Sequence, residues 1–226
     1  MTALAVFGRP ATPGHTKTRL ARGIGDDAAA LLYRAFVLDV LERAHTLPDA
    51  QLSFWVAGHT DDPDLNFLPP GLSRQPQPQT DLGARMRDAL STGLTHASAA
   101  LVVGTDSPTL PPGYLQAAVE RLADADVVFG PSADGGYYTV AARRVKNDMF
   151  VGVPWSSQRT LTASVEACRA AGLSTALLPP WYDVDTLSDL QLLRAELALN
   201  PTRAPHTAEA LQGLSRQLAL TLALGG

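Results

Sequence analysis

Short apolar runs alternate along this chain with segments of helical periodicity, and that alternation limits the fold more than any other feature. The runs are "ALAVF" (3–7), "QLSFWVAG" (51–58), "ALVVG" (100–104), "DVVFG" (126–130), "YYTVAA" (137–142) and "STALLP" (174–179). Strands that are apolar on both faces must be covered on both faces, which is the condition of a mainly parallel sheet flanked by helices. The intervening segments supply those helices. Residues 26–45 carry Leu32, Phe36, Val40 and Ala44 at spacing four behind Asp26 and Asp27, and residues 81–94 repeat the spacing with Leu82, Met86, Leu90 and Leu94. Residues 111–123 have proline in the first turn, 160–172 end at Gly172, and Ser188-Asp189-Leu190-Gln191 fits a capping box opening 187–199. Ligands of such sheets collect at the carboxyl ends of the strands, so function is sought in the polar clusters there.

A chain of 226 residues buries a substantial core, and one domain is expected over 1–226, with a core to about 200 and a helical extension over 201–226. Apolar residues at 46%, charged residues at 18% and a mean hydropathy near zero place it among globular chains and away from disorder. The net charge of −4 argues against a nucleic-acid partner, so any bound phosphate is met by a few local cations. Cys168 stands alone, which fits a reducing cytoplasm and leaves no cysteine-rich metal site. No leader is expected, because Gly8, Arg9 and Pro10 interrupt the first apolar run, and no stretch approaches the ~20 apolar residues of a membrane span. Histidines 15, 45, 59, 96 and 206 show no His-Glu-x-x-His spacing, so zinc-hydrolase chemistry is not expected. "NPTRAPHT" (200–207) reads as a linker before a last helix, 207–224. There Leu211, Leu214, Leu218 and Leu222 are expected either to cap the domain or to meet a second subunit as a homodimer.

Three polar clusters follow the strands. The first, "GRPATPGHTKTRLARGIG" (8–25), reads as a loop in which Gly8, Gly14, Gly23 and Gly25 let backbone N–H groups approach a ligand beside Arg9, Lys17, Arg19 and Arg22. It is not a Walker A loop, since Thr16 precedes the lysine where that motif needs glycine. Lys17 is expected to serve phosphate as a point charge and Arg19 as a forked donor. In the second cluster Asp106 follows "ALVVG" and stands several residues too early to cap the helix that begins near Pro111. The third holds Asp183 and Asp185, whose side chains point the same way in extended chain with Cα atoms about 6.6 Å apart. Oxygens sharing one Mg²⁺ can be no more than ~4.2 Å apart, so it is easier for one of the pair to join Asp106 than for both to chelate. Asp189 reads as a favourable first-turn charge.

Two further segments face the same sheet edge. Asp134, Gly135, Gly136 and Tyr137 form a good turn, and equally a place where glycines open space for a substrate. Trp155-Ser156-Ser157 offers hydroxyls and free N–H groups at a helix start, which suits an anion, although Trp155 is as easily core. No Gly-x-Ser-x-Gly elbow supports a hydrolase triad, and no Gly-x-Gly-x-x-Gly follows the first strand.

The ordered segments "PGHTKTRLA", "TDLGARM", "GTDSPTLPP", "GPSADGGYY", "VPWSS" and "DVDTLSDL" resemble the bacterial family labelled DUF2064 or glycosyltransferase-like, over residues 1 to about 200. That family is similar to phospholactate guanylyltransferases and sits with the nucleotide-diphospho-sugar transferases of the GT-A type. The resemblance implies a Rossmann-like three-layer α/β/α sandwich that uses a nucleotide, a divalent metal (Mg²⁺ or Mn²⁺) and a small acceptor. It implies Lys17 and Arg19 as phosphate-binding and catalytic, Asp106 as the catalytic metal carboxylate, Asp185 or Asp183 as the second metal position, and Leu82 with Gly83 near the base or sugar. Gly8, Arg9 and Gly14 complete the expected nucleotide site, and Asp134, Gly135, Gly136, Tyr137 and Ser156 the acceptor site. Three residues depart from the family pattern: Thr80 stands for a glycine, Leu187 for a proline and Ser188 for a glutamate. The expected activity is metal-dependent glycosyl or nucleotidyl transfer; the alternative is a non-catalytic nucleotide or sugar-phosphate sensor.

Overall fold

In the computed structural model, which describes the backbone of residues 1–224 and the side chains of residues 1–216, the apolar runs pair in one seven-stranded sheet. The strands are β1 (Thr2–Gly8), β2 (Ala50–Val56), β3 (Ser73–Pro76), β4 (Ala99–Gly104), β5 (Val127–Pro131), β6 (Tyr137–Ala142) and β7 (Thr175–Leu177), in the spatial order β3-β2-β1-β4-β6-β5-β7. Every pairing is parallel except those of β6, which runs against both β4 and β5. The turn through Asp134-Gly135-Gly136 is the cause: a connection that short can only return the chain antiparallel. The expected mainly parallel α/β sheet is thus observed.

Side chains alternate along β1 into two separate cores. Leu4 and Val6 join Val37, Val40, Phe54, Leu101, Val103 and Leu115 on one face. Ala3 and Ala5 join Trp55, Met86, Leu90, Val102, Phe129 and Cys168 on the other. The helices doing the covering are α1 (Thr18–Ile24), α2 (Asp26–His45), α3 (Leu82–Leu94), α4 (Gly113–Arg121), α5 (Thr160–Ala170), α6 (Leu187–Leu199) and α7 (Pro205–Leu224). In α2 the acids Asp26 and Asp27 open the helix and Arg43 and His45 close it, both favourable to its dipole. Leu32, Phe36, Val40 and Ala44 are buried as their spacing required.

Three expectations are corrected, and one strand went unannounced. The segment 8–25 is not loop throughout: Thr18–Ile24 is helical, and Leu20 and Ala21 are buried against a third core with Phe36, Val184, Leu190, Leu193 and Leu197. The edge strand β3 has no apolar run to announce it. The capping box of α6 is built by Thr186, whose hydroxyl accepts from Asp189 N–H at 3.4 Å while the Asp189 carboxylate accepts from Thr186 N–H at 2.7 Å, so Ser188 lies inside the helix. The linker-like 200–207 contains a 3-10 turn at Pro201–Arg203, and α7 begins at Pro205. Its N-terminus is held by Asp39 of α2, which accepts from His206 N–H at 3.0 Å and Thr207 N–H at 2.9 Å. Leu211 and Leu214 pack partly buried against the third core, while Leu218 and Leu222 lie outside the described side chains. No described helix is long and apolar enough to cross a membrane.

Candidate functional site

The chain leaves β1 toward β2 on one side, while β4 flanks β1 on the other, so the strand order reverses between β1 and β4. At the carboxyl ends of these strands lies an open cleft of about 740 Å³. Gly8, Arg9, Arg19, Leu82, Asp106, Asp134, Gly136, Tyr137, Ser156, Asp183 and Asp185 all line it. Segments far apart in sequence therefore meet at one edge of the sheet.

Asp106 follows β4 and its backbone carbonyl accepts from Val184 N–H at 2.8 Å, which ties the β4 exit to the segment carrying the other acids. Val184 is fully buried in the third core, and this anchors its neighbours Asp183 and Asp185 in place. The two acids then diverge. Asp183 accepts from the Ser107 hydroxyl at 2.6 Å, whereas Asp185 accepts from the Lys17 ammonium at 2.8 Å.

Lys17 also forms an ion pair with Asp106. Its side chain is only 6% exposed, against 46% for Asp106 and 35% for Asp185, so one buried cation underlies two carboxylates that face the cleft. Burial alone would lower the lysine pKa, but the charges of Asp106 and Asp185 hold it above its ordinary value, so the ammonium stays charged. The residue adopts left-handed backbone at φ 50, a conformation that costs an L-residue roughly 1–2 kcal/mol. That geometry turns the side chain beneath the carboxylates instead of out toward a ligand. Arg9, Arg19 and Arg22 are exposed; of these Arg9 and Arg19 line the cleft, and Arg19 reaches Asp185 at 3.7 Å.

The glycines serve different purposes from one another. A Cβ on Gly8 would lie 2.4 Å from the Phe54 ring, so glycine there permits close packing of β1 on β2. Gly14, at φ 77, makes a turn beside Asp26 and does not reach the cleft wall. Gly83 lies under Trp155 and Phe150, beside the cleft rather than in it. Gly135, at φ 92, approaches the backbone of Gln158 so closely that a Cβ would lie 2.4 Å from its carbonyl oxygen. This contact joins the β5–β6 turn to the loop before α5.

Around that turn Asp134 accepts from the Ser132 hydroxyl at 2.5 Å and from Gly136 N–H at 3.0 Å. Tyr137 is packed edge-on against Phe129, its ring centroid 4.9 Å away, and burial pushes its phenol up. The Asp183 carboxyl is pushed up to about 6, first by burial and then by the Asp106 and Asp134 charges, against the opposing hydrogen bond from Ser107.

Several N–H groups at the start of α5 are engaged within the loop. Arg159 N–H donates to the Ser157 hydroxyl at 3.1 Å, Thr160 N–H to Ser157 O at 3.1 Å and Leu161 N–H to Gly135 O at 2.9 Å. The first N–H groups of α5 are thus engaged within the loop, while Ser156 and Ser157 line the cleft.

Sequence reasoning missed Tyr33, Gln77 and Arg85. Tyr33 sits within the apolar pattern of α2, yet its hydroxyl accepts from Arg9 N–H at 3.0 Å and from the Thr105 hydroxyl at 3.2 Å, clamping the loops after β1 and β4 together. Gln77 is buried and donates to Trp55 O at 2.8 Å while lining the cleft. Arg85 and Met86 follow Leu82 by three and four residues and share its face of α3, and that spacing was the available signal.

A separate group of metal-type side chains, Asp39, Glu42 and His206, converges where α2 meets α7. Its Asp39 oxygens are already engaged as the anchor of α7, and none of the three lines the cleft.

The family model for DUF2064, described as "Uncharacterized protein conserved in bacteria", matches residues 40–157. The chain belongs to the DUF2064 family. Among solved structures it is similar to one from Desulfovibrio desulfuricans G20 whose description reads "putative nucleotide-diphospho-sugar transferase". The two are 33% identical over 96% of this chain and 97% of that one, with a TM-score of 0.86. More distant likenesses show the fold alone. A cytidylyltransferase from Leptospira borgpetersenii is 14% identical over 96% of this chain and 95% of its own, with a TM-score of 0.59. A CMP:2-keto-3-deoxy-manno-octonic acid synthetase complexed with CTP is 15% identical over 88% and 98%, with a TM-score of 0.56. No curated protein matches this chain. This DUF2064 member therefore has the α/β fold of nucleotide-diphospho-sugar transferases.

Proposed function

We propose that this protein is a divalent-metal-dependent transferase that takes a nucleoside triphosphate or a nucleotide sugar as donor. The observation that carries the reading is the convergence of the Asp106 and Asp185 carboxylates on one cation, at the switch point of the sheet and beside Arg9 and Arg19. An all-oxygen pair that already meets at a single positive charge fits Mg²⁺ or Mn²⁺, with Asp106 and Asp185 as ligands and Asp183 held by Ser107 beside them. Bound there, the ion would stabilise charge developing on the leaving phosphate oxygens.

This chain's own residues supply the rest. Arg9 and Arg19 neutralise the distal phosphates, and Lys17 orients the two carboxylates from below. Leu82, Arg85 and Gln77 line the part of the cleft beside β1, β2 and α3, where the base and sugar would sit. The acceptor enters near Asp134, Tyr137 and Ser156. Its hydroxyl oxygen bonds to phosphorus or to the anomeric carbon as the bond to pyrophosphate or nucleoside diphosphate breaks, and its proton passes to Asp134 or Asp183 and then to water. The pair of arginines Arg9 and Arg19 at the cleft favours a triphosphate donor, while the likeness to nucleotide-diphospho-sugar transferases favours a nucleotide sugar.

One observation favours a second reading. Lys17 already neutralises both carboxylates, so the cleft could hold a nucleotide without turning it over, as a sensor. Assays for pyrophosphate and nucleoside diphosphate release, with Mg²⁺ or Mn²⁺ and mixed acceptors, separate the two. Release supports the transferase; tight nucleotide binding with no release under any metal supports the sensor.

A further inference from the structure

Tyr33 stands in the buried stripe of α2 among Ala29, Ala30, Phe36 and Val37. Its ring packs in the core with Leu4, Val6 and Phe54, a task that phenylalanine would perform as well. The hydroxyl is what sets it apart, and that end of the side chain is at the cleft. Tyr33 lines it together with Gly8, Arg9, Thr105 and Asp106, although only 3% of the tyrosine is exposed.

A hydroxyl has one proton to give and two lone pairs to receive with. Both lone pairs of the Tyr33 oxygen are engaged, by Arg9 N–H at 3.0 Å and by the Thr105 hydroxyl at 3.2 Å. The proton is not: among the described residues no carbonyl or carboxylate accepts from this phenol. Asp106 follows Thr105 directly, but it is paired with Lys17 and takes no hydrogen bond from Tyr33. Burial and then the Asp106 charge push the phenol up from its ordinary value, so the proton stays on at neutral pH. A buried donor with no acceptor is costly, and the cost is relieved when a ligand oxygen takes the bond. The position suits a neutral donor, because a further cation beside Asp106 would compete with a metal ion for that carboxylate, whereas a phenol adds a hydrogen bond and no charge.

We propose, resting on the transferase reading above, that the Tyr33 hydroxyl donates a hydrogen bond to an anionic oxygen of the nucleotide's phosphate chain. Tyr33 is then a nucleotide-binding residue in its own right, besides holding the loops after β1 and β4 together.

The test is calorimetric titration of nucleoside triphosphates and nucleotide sugars, with Mg²⁺ or Mn²⁺, into the full chain as wild type, Tyr33→Phe, Thr105→Val, Arg9→Ala and the Arg9→Ala/Tyr33→Phe double variant. Failure of the wild type to bind any of them overturns the transferase reading, and this inference with it. Where a nucleotide binds, Tyr33→Phe should bind it at least about tenfold more weakly, because hydrogen bonds to charged oxygens are among the stronger ones. The Arg9→Ala background separates donation from support. A phenol that binds phosphate itself costs about tenfold in both backgrounds, whereas one that only props Arg9 costs nothing once the guanidinium is gone. Thr105→Val keeps the phenol and its proton, so its affinity should stay within about threefold of wild type, and this variant decides the matter if Tyr33→Phe fails to fold. Unchanged binding by Tyr33→Phe, a loss that disappears in the Arg9→Ala background, or a loss of about tenfold in Thr105→Val overturns the inference and leaves the transferase reading standing.

Discussion

The Lys17 ammonium lies between the carboxylates of Asp106 and Asp185, 2.8 Å from the latter and ion-paired with the former. Replacing it with an apolar side chain leaves two carboxylates facing each other over a buried gap. Lys17→Met should therefore lower stability at pH 7.5 by about 1–3 kcal/mol, discounted for the partial exposure of both acids. The same variant makes the metal proposal visible. A divalent ion would replace the missing charge, so Mg²⁺ or Mn²⁺ should raise the melting temperature of Lys17→Met by more than it raises that of wild type. An equal response of both proteins in thermal unfolding would count against metal binding at this pair.

Asp183 carries a built-in cost. Its folded pKa of about 6 lies above the ordinary 3.8, so the penalty for keeping it ionised is present above pH 6 and fades as pH falls toward 4. Asp183→Asn should be more stable than wild type by about 1–3 kcal/mol at pH 7.5, with the gap closing by pH 4, while transfer activity falls. Denaturant unfolding at several pH values reads this directly. A variant less stable than wild type at pH 7.5 would contradict the assignment.

Asp126 has the opposite sign. Hydrogen bonds from Ser174 N–H at 3.0 Å and from Arg143 at 3.2 Å hold its carboxyl down to about 2, below the ordinary 3.8. Its contribution is therefore full above pH 3.8 and lost as pH falls through about 2. Asp126→Asn should cost about 1–2 kcal/mol at neutral pH and nearly nothing near pH 2, measured by unfolding across that range. A cost that persists undiminished in acid would place the effect in packing.

Gly135 tests the contact between the β5–β6 turn and the loop before α5. With φ at 92 and Gln158 backbone at 2.4 Å from any Cβ, Gly135→Ala must displace one of the two segments. We expect a loss of about 1–3 kcal/mol and a raised KM for acceptor with donor affinity unchanged. If donor affinity fell equally, the placement of the acceptor beside the β5–β6 turn would be wrong.

The parallel sheet was legible because each buried strand, such as Leu101 to Val103, must be apolar on both faces. β3 was not, since an edge strand whose side chains are half in solvent tolerates the polar sequence Ser73–Pro76. Helix α1 was hidden by its cations and by Gly23 and Gly25, because the burial of Leu20 depends on α6, which is distant in sequence. Asp106 and Asp185 could be assigned to one sheet edge from their places after strands. The cation between them could not, because it follows from the left-handed turn at Lys17 and from Val184 filling the third core. Tyr33 was concealed for a related reason: a hydroxyl that clamps two loops rides on a helix face that reads as core.

Asp106 and Asp185 are proposed to hold a divalent ion that binds nucleotide phosphate. Calorimetric titration of nucleoside triphosphates and nucleotide sugars into wild type and Asp106→Asn, with and without Mg²⁺ or Mn²⁺, tests it most directly. The metal should strengthen nucleotide binding by wild type at least about tenfold, or about 1.4 kcal/mol, and Asp106→Asn should abolish this gain. Metal-dependent binding that Asp106→Asn leaves intact, or no nucleotide binding at millimolar concentration (about −4 kcal/mol), would contradict it.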